Sequence, residues 1–317
     1  MGDKQHGPQI VDYESAWIKV GMDQVPCLEV RHAAPTGSDL AGLSNKLDLN
    51  PYFICSTNDR MYPQTPDGMA RHLRNVEHHA FNKFWWAAQI YPSLLFVDVG
   101  ANIGATSIPL ANGIPNMRVI AVEPLTKLIP SLTKSVLMNN LNGRFTILNN
   151  AVSNESNRTV CMLSNLDSSV FSRMDSSLVV PTINAHLEDD KVENAVSTIT
   201  FDDVIPLAQK TFIEHCVLKI DVEGAECLVI QKIKRFIQAI DVPLIVVETD
   251  KIPFADTNCV EIAFKILTEM DYIPFSDWMD HFEYRLDPTI FNHWHHRNTI
   301  WVKKGSAFYS KFVQNDQ

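Results

Sequence analysis

The stretch Phe96-Val97-Asp98-Val99-Gly100-Ala101-Asn102-Ile103-Gly104-Ala105-Thr106 constrains this chain more than any other. Leu94 to Val99 is apolar apart from Asp98, too short for a helix and rich in strand formers. Gly100 and Gly104 bracket a tight turn, and Thr106 to Ala111 reads as the first turns of a helix. A buried strand, a glycine turn and a helix form the geometry that lets a ligand approach bare backbone.

The spacing of that turn bears on the ligand. The dinucleotide fingerprint is G-x-G-x-x-G. Here the order is G-x-N-x-G, with Asp98 two residues before the first glycine. A pyrophosphate on a helix N-terminus disfavours a carboxylate beside it. A cationic amino-acid cofactor, carrying an ammonium and a sulfonium, accommodates one. The pattern D-x-G-x-N-x-G therefore favours S-adenosylmethionine over NAD, and the plain alternative is a turn that only packs a strand on a helix. A second strand, Val119 to Val122, ends in Glu123-Pro124. An acid about 20 residues past such a turn holds both hydroxyls of a ribose. Both cofactors contain that ribose, so Glu123 marks a nucleoside without choosing between them. A third strand, Val217 to Ile220, runs into the acidic turn Asp221-Val222-Glu223-Gly224-Ala225-Glu226.

Taken in order, Phe96–Gly104, Ala121–Pro124 and Lys219–Glu226 resemble the F-x-D-V-G-A-N-x-G, A-V-E-P and K-I-D-V-E-G-A-E motifs of the FkbM-type family of S-adenosylmethionine-dependent methyltransferases. Val196 to Asp203 resembles the strand that precedes the last motif, with Phe201 where a leucine is usual. The resemblance runs from about Phe96 to Lys304, roughly two thirds of the chain. It implies methyl transfer, most simply to a hydroxyl on a sugar, glycan or polyketide-like metabolite. Methylation of a nitrogen on a small molecule or protein is an alternative, as is a cofactor-binding scaffold without catalysis.

Roles follow from where these residues fall on the strand ends. Gly100, Ala101, Asn102 and Gly104 would bring backbone to the methionine part of the cofactor, with Asp98 orienting the turn. Glu123 would accept the ribose hydroxyls, and Asn150, after the strand Phe145–Leu148, the adenine amino group. Asp221 would take the acceptor's proton or hold the acceptor, with Glu223 and Glu248 as neighbours. No metal is required by this reading, although magnesium on Asp221 and Glu248 is another use of the same acids.

The expected fold is α/β: a doubly wound, seven-stranded, Rossmann-like sheet of the methyltransferase type. Its strands are Leu95–Val99, Arg118–Val122, Phe145–Leu148, Val217–Ile220, Leu244–Glu248, Tyr272–Phe275 and Thr299–Val302. The last two form an antiparallel hairpin, and alternation with helices makes the rest parallel. Helices are expected from about Ile129 to Asn140 and from Ala225 to Ile240. Asn258 and Glu261 fit a capping box for a further helix ending near Met270. A small hairpin, Thr159–Leu163 with Ser168–Ser172, precedes a polar stretch from Met174 to Ala195. Residues 1–64, broken by prolines, read as an extension of uncertain structure. Residues 65–317 read as the catalytic domain, with a leading helix over 65–91 and a core over 94–304. Phe84-Trp85-Trp86 on that helix reads as packing rather than a sugar platform, and the His293–His296 cluster as an edge loop.

Composition bounds the partners. A net charge of -10 without a Lys/Arg cluster argues against nucleic acid. No apolar run reaches a membrane span, and Met1 to His6 does not read as a signal peptide. The six cysteines include no C-x-x-C pair and fit a reducing, cytoplasmic setting. Asn154-Glu155-Ser156 and Asn157-Arg158-Thr159 match the N-glycosylation pattern, which has meaning only in a secretory setting.

Overall fold

In the computed structural model the expected strands assemble into a single seven-stranded sheet. Residues 7–13, 25–30, 51–56, 81–165, 168–179, 195–249, 257–276, 285–287 and 298–312 are described. The leading elements are β1 (Cys27–Val30), β2 (Tyr52–Cys55) and a helix, α1, covering residues 81–90. Next come β3 (Leu94–Val99), α2 (Ser107–Gly113), β4 (Met117–Val122), α3 (Ile129–Met138) and β5 (Phe145–Leu148). A small sheet follows, built from β6 (Ala151–Val152), β7 (Thr159–Asn165), β8 (Ser168–Val179) and β9 (Ala195–Ile199). Then come α4 (Phe201–Gln209), β10 (His215–Ile220), α5 (Glu226–Ile230), α6 (Lys234–Ala239) and β11 (Asp241–Glu248). The chain closes with α7 (Thr257–Glu269), β12 (Tyr272–Ser276), β13 (Asn298–Lys303) and α8 (Ala307–Phe312).

The main sheet runs β12-β13-β11-β10-β3-β4-β5. β11, β10, β3, β4 and β5 are mutually parallel, and β13 is antiparallel to both β11 and β12. The direction of winding reverses between β3 and β10, which is where open parallel sheets bind ligands.

Period-two alternation sorts side chains onto two faces. Leu94 and Phe96 enter one core, with Ile108, Leu132 and Phe84. Leu95, Val97 and Val99 enter the other, with Phe201, Val229, Phe236 and Phe264. On α1, Phe84 and Trp86 are buried and Trp85 is half-buried, consistent with packing, though the stripe includes Trp86 in place of Trp85. The start of that helix at Thr65–Asp67 lies outside the described residues, as does the His293–His296 cluster.

Three expectations are corrected. The single helix expected over Ala225–Ile240 is two, because the Ile233 N–H turns back to Ile230 three residues earlier and closes α5. Asn258 lies inside α7, which begins at Thr257, so it is not the cap. The cysteines are not all thiols: Cys27 and Cys55 form a disulfide across β1 and β2, and Cys227 is also disulfide-bonded. The free cysteines among the described residues are Cys161 and Cys216, both buried.

Much of the described N-terminal region is docked. Ile10 bridges Leu148 antiparallel, and the Val11 N–H donates to the Ile147 carbonyl at 2.9 Å. Residues 9–11 thus cover the β5 edge that would otherwise present unpaired backbone. The β1–β2 hairpin lies on α3, where the Cys55 N–H donates to Ser135 Oγ and the Asn139 amide pairs with the Phe53 backbone. No helix among the described residues is long and apolar enough to cross a membrane.

Candidate active site

Strand parity brings the polar residues together. Asp98 follows Leu94 and Phe96 on one face of β3, and Lys219 follows Val217 on the same face of β10. Glu123 follows Val119 and Ala121, and Glu248 follows Leu244 and Val246, again on that face. All four stand at the carboxyl ends of adjacent parallel strands, and Asp98 pairs directly with Lys219 across β3 and β10.

The turn after β3 and the turn after β10 are locked together. The Asp221 N–H donates to the Val99 carbonyl at 2.9 Å. Gly100 adopts a left-handed φ of 85°, and the Asp221 carbonyl oxygen lies 1.7 Å from where a Cβ on residue 100 would stand. The Gly100 and Ala101 N–H groups both donate to the Val122 carbonyl. Gly104, also left-handed, faces Ile108 and Leu132, which a Cβ would meet at 2.7 and 2.8 Å. The room each glycine leaves is therefore filled by protein.

Glu123 organises the same turn from the side. Its Oε2 accepts the Asn102 N–H and its Oε1 the Leu125 N–H, each at 2.8 Å. Asn102 takes a left-handed φ of 53°, which asparagine tolerates because its short amide bonds locally; its Oδ1 accepts the Ile103 N–H. Burial pushes the Glu123 carboxyl up to about 7, against the pull of those two amides. Each carboxylate oxygen keeps a lone pair beyond the amide it already accepts.

The acidic turn after β10 holds the centre of the site. Lys219, buried, places its ammonium 2.8 Å from Asp221 Oδ2 and 3.9 Å from Asp98 Oδ1. Asp221, Glu223 and Glu248 each offer a carboxylate oxygen within 4.8 Å of the others, a spacing a cation or a polyhydroxyl ligand can bridge. Glu223 has a left-handed φ of 58°, a strained setting for this residue type. Glu226 secures it: its Oε1 accepts the Val222 and Gly224 N–H groups at 2.9 and 3.1 Å. Burial pushes the Glu226 carboxyl up to about 7.

Asn150 does not join this cluster. Its Oδ1 accepts the Gln9 N–H at 2.7 Å and its Nδ2 donates to the Ser197 carbonyl at 3.1 Å. The amide pins the N-terminal segment and the small sheet to the end of β5. Lys219 and Glu226 are the residues sequence reasoning passed over. Their signal was present, since a lysine in an otherwise apolar strand needs a buried acid beside it.

A doubly wound sheet with an antiparallel closing hairpin, acids at the switch point and a glycine turn beside them defines a methyltransferase-type fold. The family model for the methyltransferase FkbM domain matches residues 98–285, more than half of the chain. The chain belongs to that family; it is an S-adenosylmethionine-dependent methyltransferase. Comparison with curated proteins gives no match. Among solved structures, the chain is similar to a precorrin-6y C5,15-methyltransferase from Geobacter metallireducens, at 12% identity over 72% of this chain and 89% of that one, with a TM-score of 0.35. It is similar to an O-methyltransferase from Bacillus cereus in complex with SAH, at 10% identity over 72% and 81%, with a TM-score of 0.36.

Proposed function

We propose that the chain methylates a hydroxyl on a sugar, glycan or polyketide-like metabolite. The observation that carries this reading is the convergence of Asp221, Glu223 and Glu248 within 4.8 Å, the first two on the turn that touches Gly100 and the third at the end of β11. Ionised carboxylates accept hydrogen bonds and donate none, so three of them suit an acceptor that offers several hydroxyls.

The donor set also suits the cofactor: Asp98, Asp221, Glu223 and Glu248 outnumber the one ammonium of Lys219, which favours a cation over an anionic pyrophosphate. Gly100, Ala101, Asn102 and Gly104 shape the turn that faces its methionine part, and Glu123 uses its remaining lone pairs on the ribose hydroxyls. Asn150 acts only indirectly, by fixing the backbone after β5. S-adenosylmethionine supplies an activated methyl group on a sulfonium. Asp221 accepts the hydroxyl proton as the acceptor oxygen becomes a nucleophile, while Lys219 holds its Oδ2 in place. Glu223 and Glu248 orient the neighbouring hydroxyls. In this reading residues 1–64 form an extension and residues 65–317 the catalytic domain.

The test is calorimetric binding of S-adenosylhomocysteine followed by a methyl-transfer screen over glycans and hydroxylated metabolites. Turnover on a hydroxyl acceptor supports the reading. Turnover only on amines supports nitrogen methylation instead, and binding with no turnover on any acceptor supports a scaffold.

A further inference from the structure

The bonded cysteines and the paired glycosylation triplets come together in one inference that does not depend on the acceptor. We propose that the chain matures in an oxidising compartment and carries an N-linked glycan on Asn157.

The cysteine state comes first. Cys27 and Cys55 are joined across the β1–β2 hairpin, and Cys227, next to the acidic turn, is bonded as well. Structural disulfides are rare where glutathione and thioredoxin keep thiols reduced, and ordinary in secreted and lumenal proteins. The thiols among the described residues, Cys161 and Cys216, are buried, and burial pushes the Cys216 thiol well above its ordinary range. This division, a cross-link between β1 and β2, a further bonded cysteine and thiols in the core, is what an oxidising compartment selects.

The acceptor follows from position. Asn154-Glu155-Ser156 and Asn157-Arg158-Thr159 are the only N-x-S/T triplets without an intervening proline in the sequence. Both fall on the turn between β6 and β7. Asn157 is exposed at the tip, with a left-handed φ of 62°. Its Oδ1 accepts the Gly7 N–H at 3.2 Å, and its Nδ2 makes no hydrogen bond among the described residues. Asn154 is half-buried and its Nδ2 donates to Gln231 Oε1 at 3.2 Å. Of the two, Asn157 has the nitrogen that can bear a bulky, solvated substituent without displacing a contact.

The chemistry closes. Each disulfide forms as two thiols give two protons and two electrons to a lumenal thiol oxidase or exchange partner. The glycan arrives from a polyprenyl-diphosphate-linked oligosaccharide. A bond forms from sugar C1 to Asn157 Nδ2, the bond from C1 to the diphosphate oxygen breaks, the amide gives up one proton, and the lipid diphosphate leaves.

The test uses the full chain isolated from its own cells, denatured and alkylated with and without reduction, then digested before and after peptide N-glycosidase treatment. The expected result is alkylation of Cys161 and Cys216 without reductant, and of Cys27, Cys55 and Cys227 only after it. The peptide containing Asn157 should appear only after the glycosidase, and then at the mass of its aspartate form rather than of the unmodified asparagine. Asn157→Gln should abolish the change in gel mobility that the glycosidase produces in the intact chain, and Asn154→Gln should leave it. Full alkylation without reductant, an unmodified Asn157 peptide, or a glycan confined to Asn154 would each overturn the proposal. Because none of these readings uses methyl transfer, they stand apart from the outcome of the acceptor screen.

Discussion

The carbonyl oxygen of Asp221 occupies the space that a Cβ on residue 100 would need, 1.7 Å from that position. Backbone cannot withdraw as a flexible side chain can, so Gly100→Ala must separate the turns after β3 and β10. It must also hold alanine at a φ of 85°. We expect a loss of about 3 kcal/mol or more in denaturant-measured stability, together with loss of cofactor binding. Gly143→Ala is the control: nothing lies within 4 Å of the added atom, and stability should change by less than about 1 kcal/mol.

Lys219 sits between two acids, nearer Asp221 than Asp98. Lys219→Met removes the ammonium and leaves Asp98, 1% exposed, without it. Breaking a buried pair on one side costs about 3–5 kcal/mol, while replacing both partners costs much less. Denaturant unfolding of Lys219→Met, Asp98→Asn and the double variant should show strong coupling. Additive losses would mean that the ion pair does not hold the two turns.

The sheet was legible because its strands are short apolar runs closed by a glycine turn, by Glu123-Pro124 and by the acidic turn, and each such boundary fell within a few residues of its place. The roles of the glycines were less legible. Sequence spacing shows that Gly100 must be small, and only the fold shows that Asp221 is the reason. Asn150 was less legible still, since an amide at a strand end carries no mark of whether it faces a ligand or a neighbouring strand. The bonded state of Cys27 and Cys55, 28 residues apart, depends on a hairpin pairing that proline-broken sequence conceals.

Glu123 and Glu226 set a pH dependence. Both carboxyls rise from 4.5 to about 7 on folding, chiefly through burial. The folded state therefore holds these protons more tightly than the unfolded state does. Their contribution is fully present below about pH 4.5 and is lost as pH rises through about 7, on the order of 3 kcal/mol each. Unfolding of the cofactor-free protein across pH 5 to 8 should show this decline, and Glu226→Gln should flatten about half of it. A stability that climbs over the same range would show that both acids are ionised in the fold.

Asp221→Asn keeps the shape of the side chain and removes its basicity. Once an acceptor is in hand, the variant should lose about a hundredfold or more in turnover while cofactor affinity stays within a few fold. Unchanged turnover would remove Asp221 from proton transfer.

The account rests on a sulfonium nucleoside held between the glycine turn and Glu123, and titration calorimetry of the purified chain measures that directly. S-adenosylmethionine should bind at one site, Glu123→Ala should weaken it at least tenfold, about 1.4 kcal/mol, and NAD should give no heat. Tight binding of NAD, or silence toward S-adenosylmethionine, would contradict it.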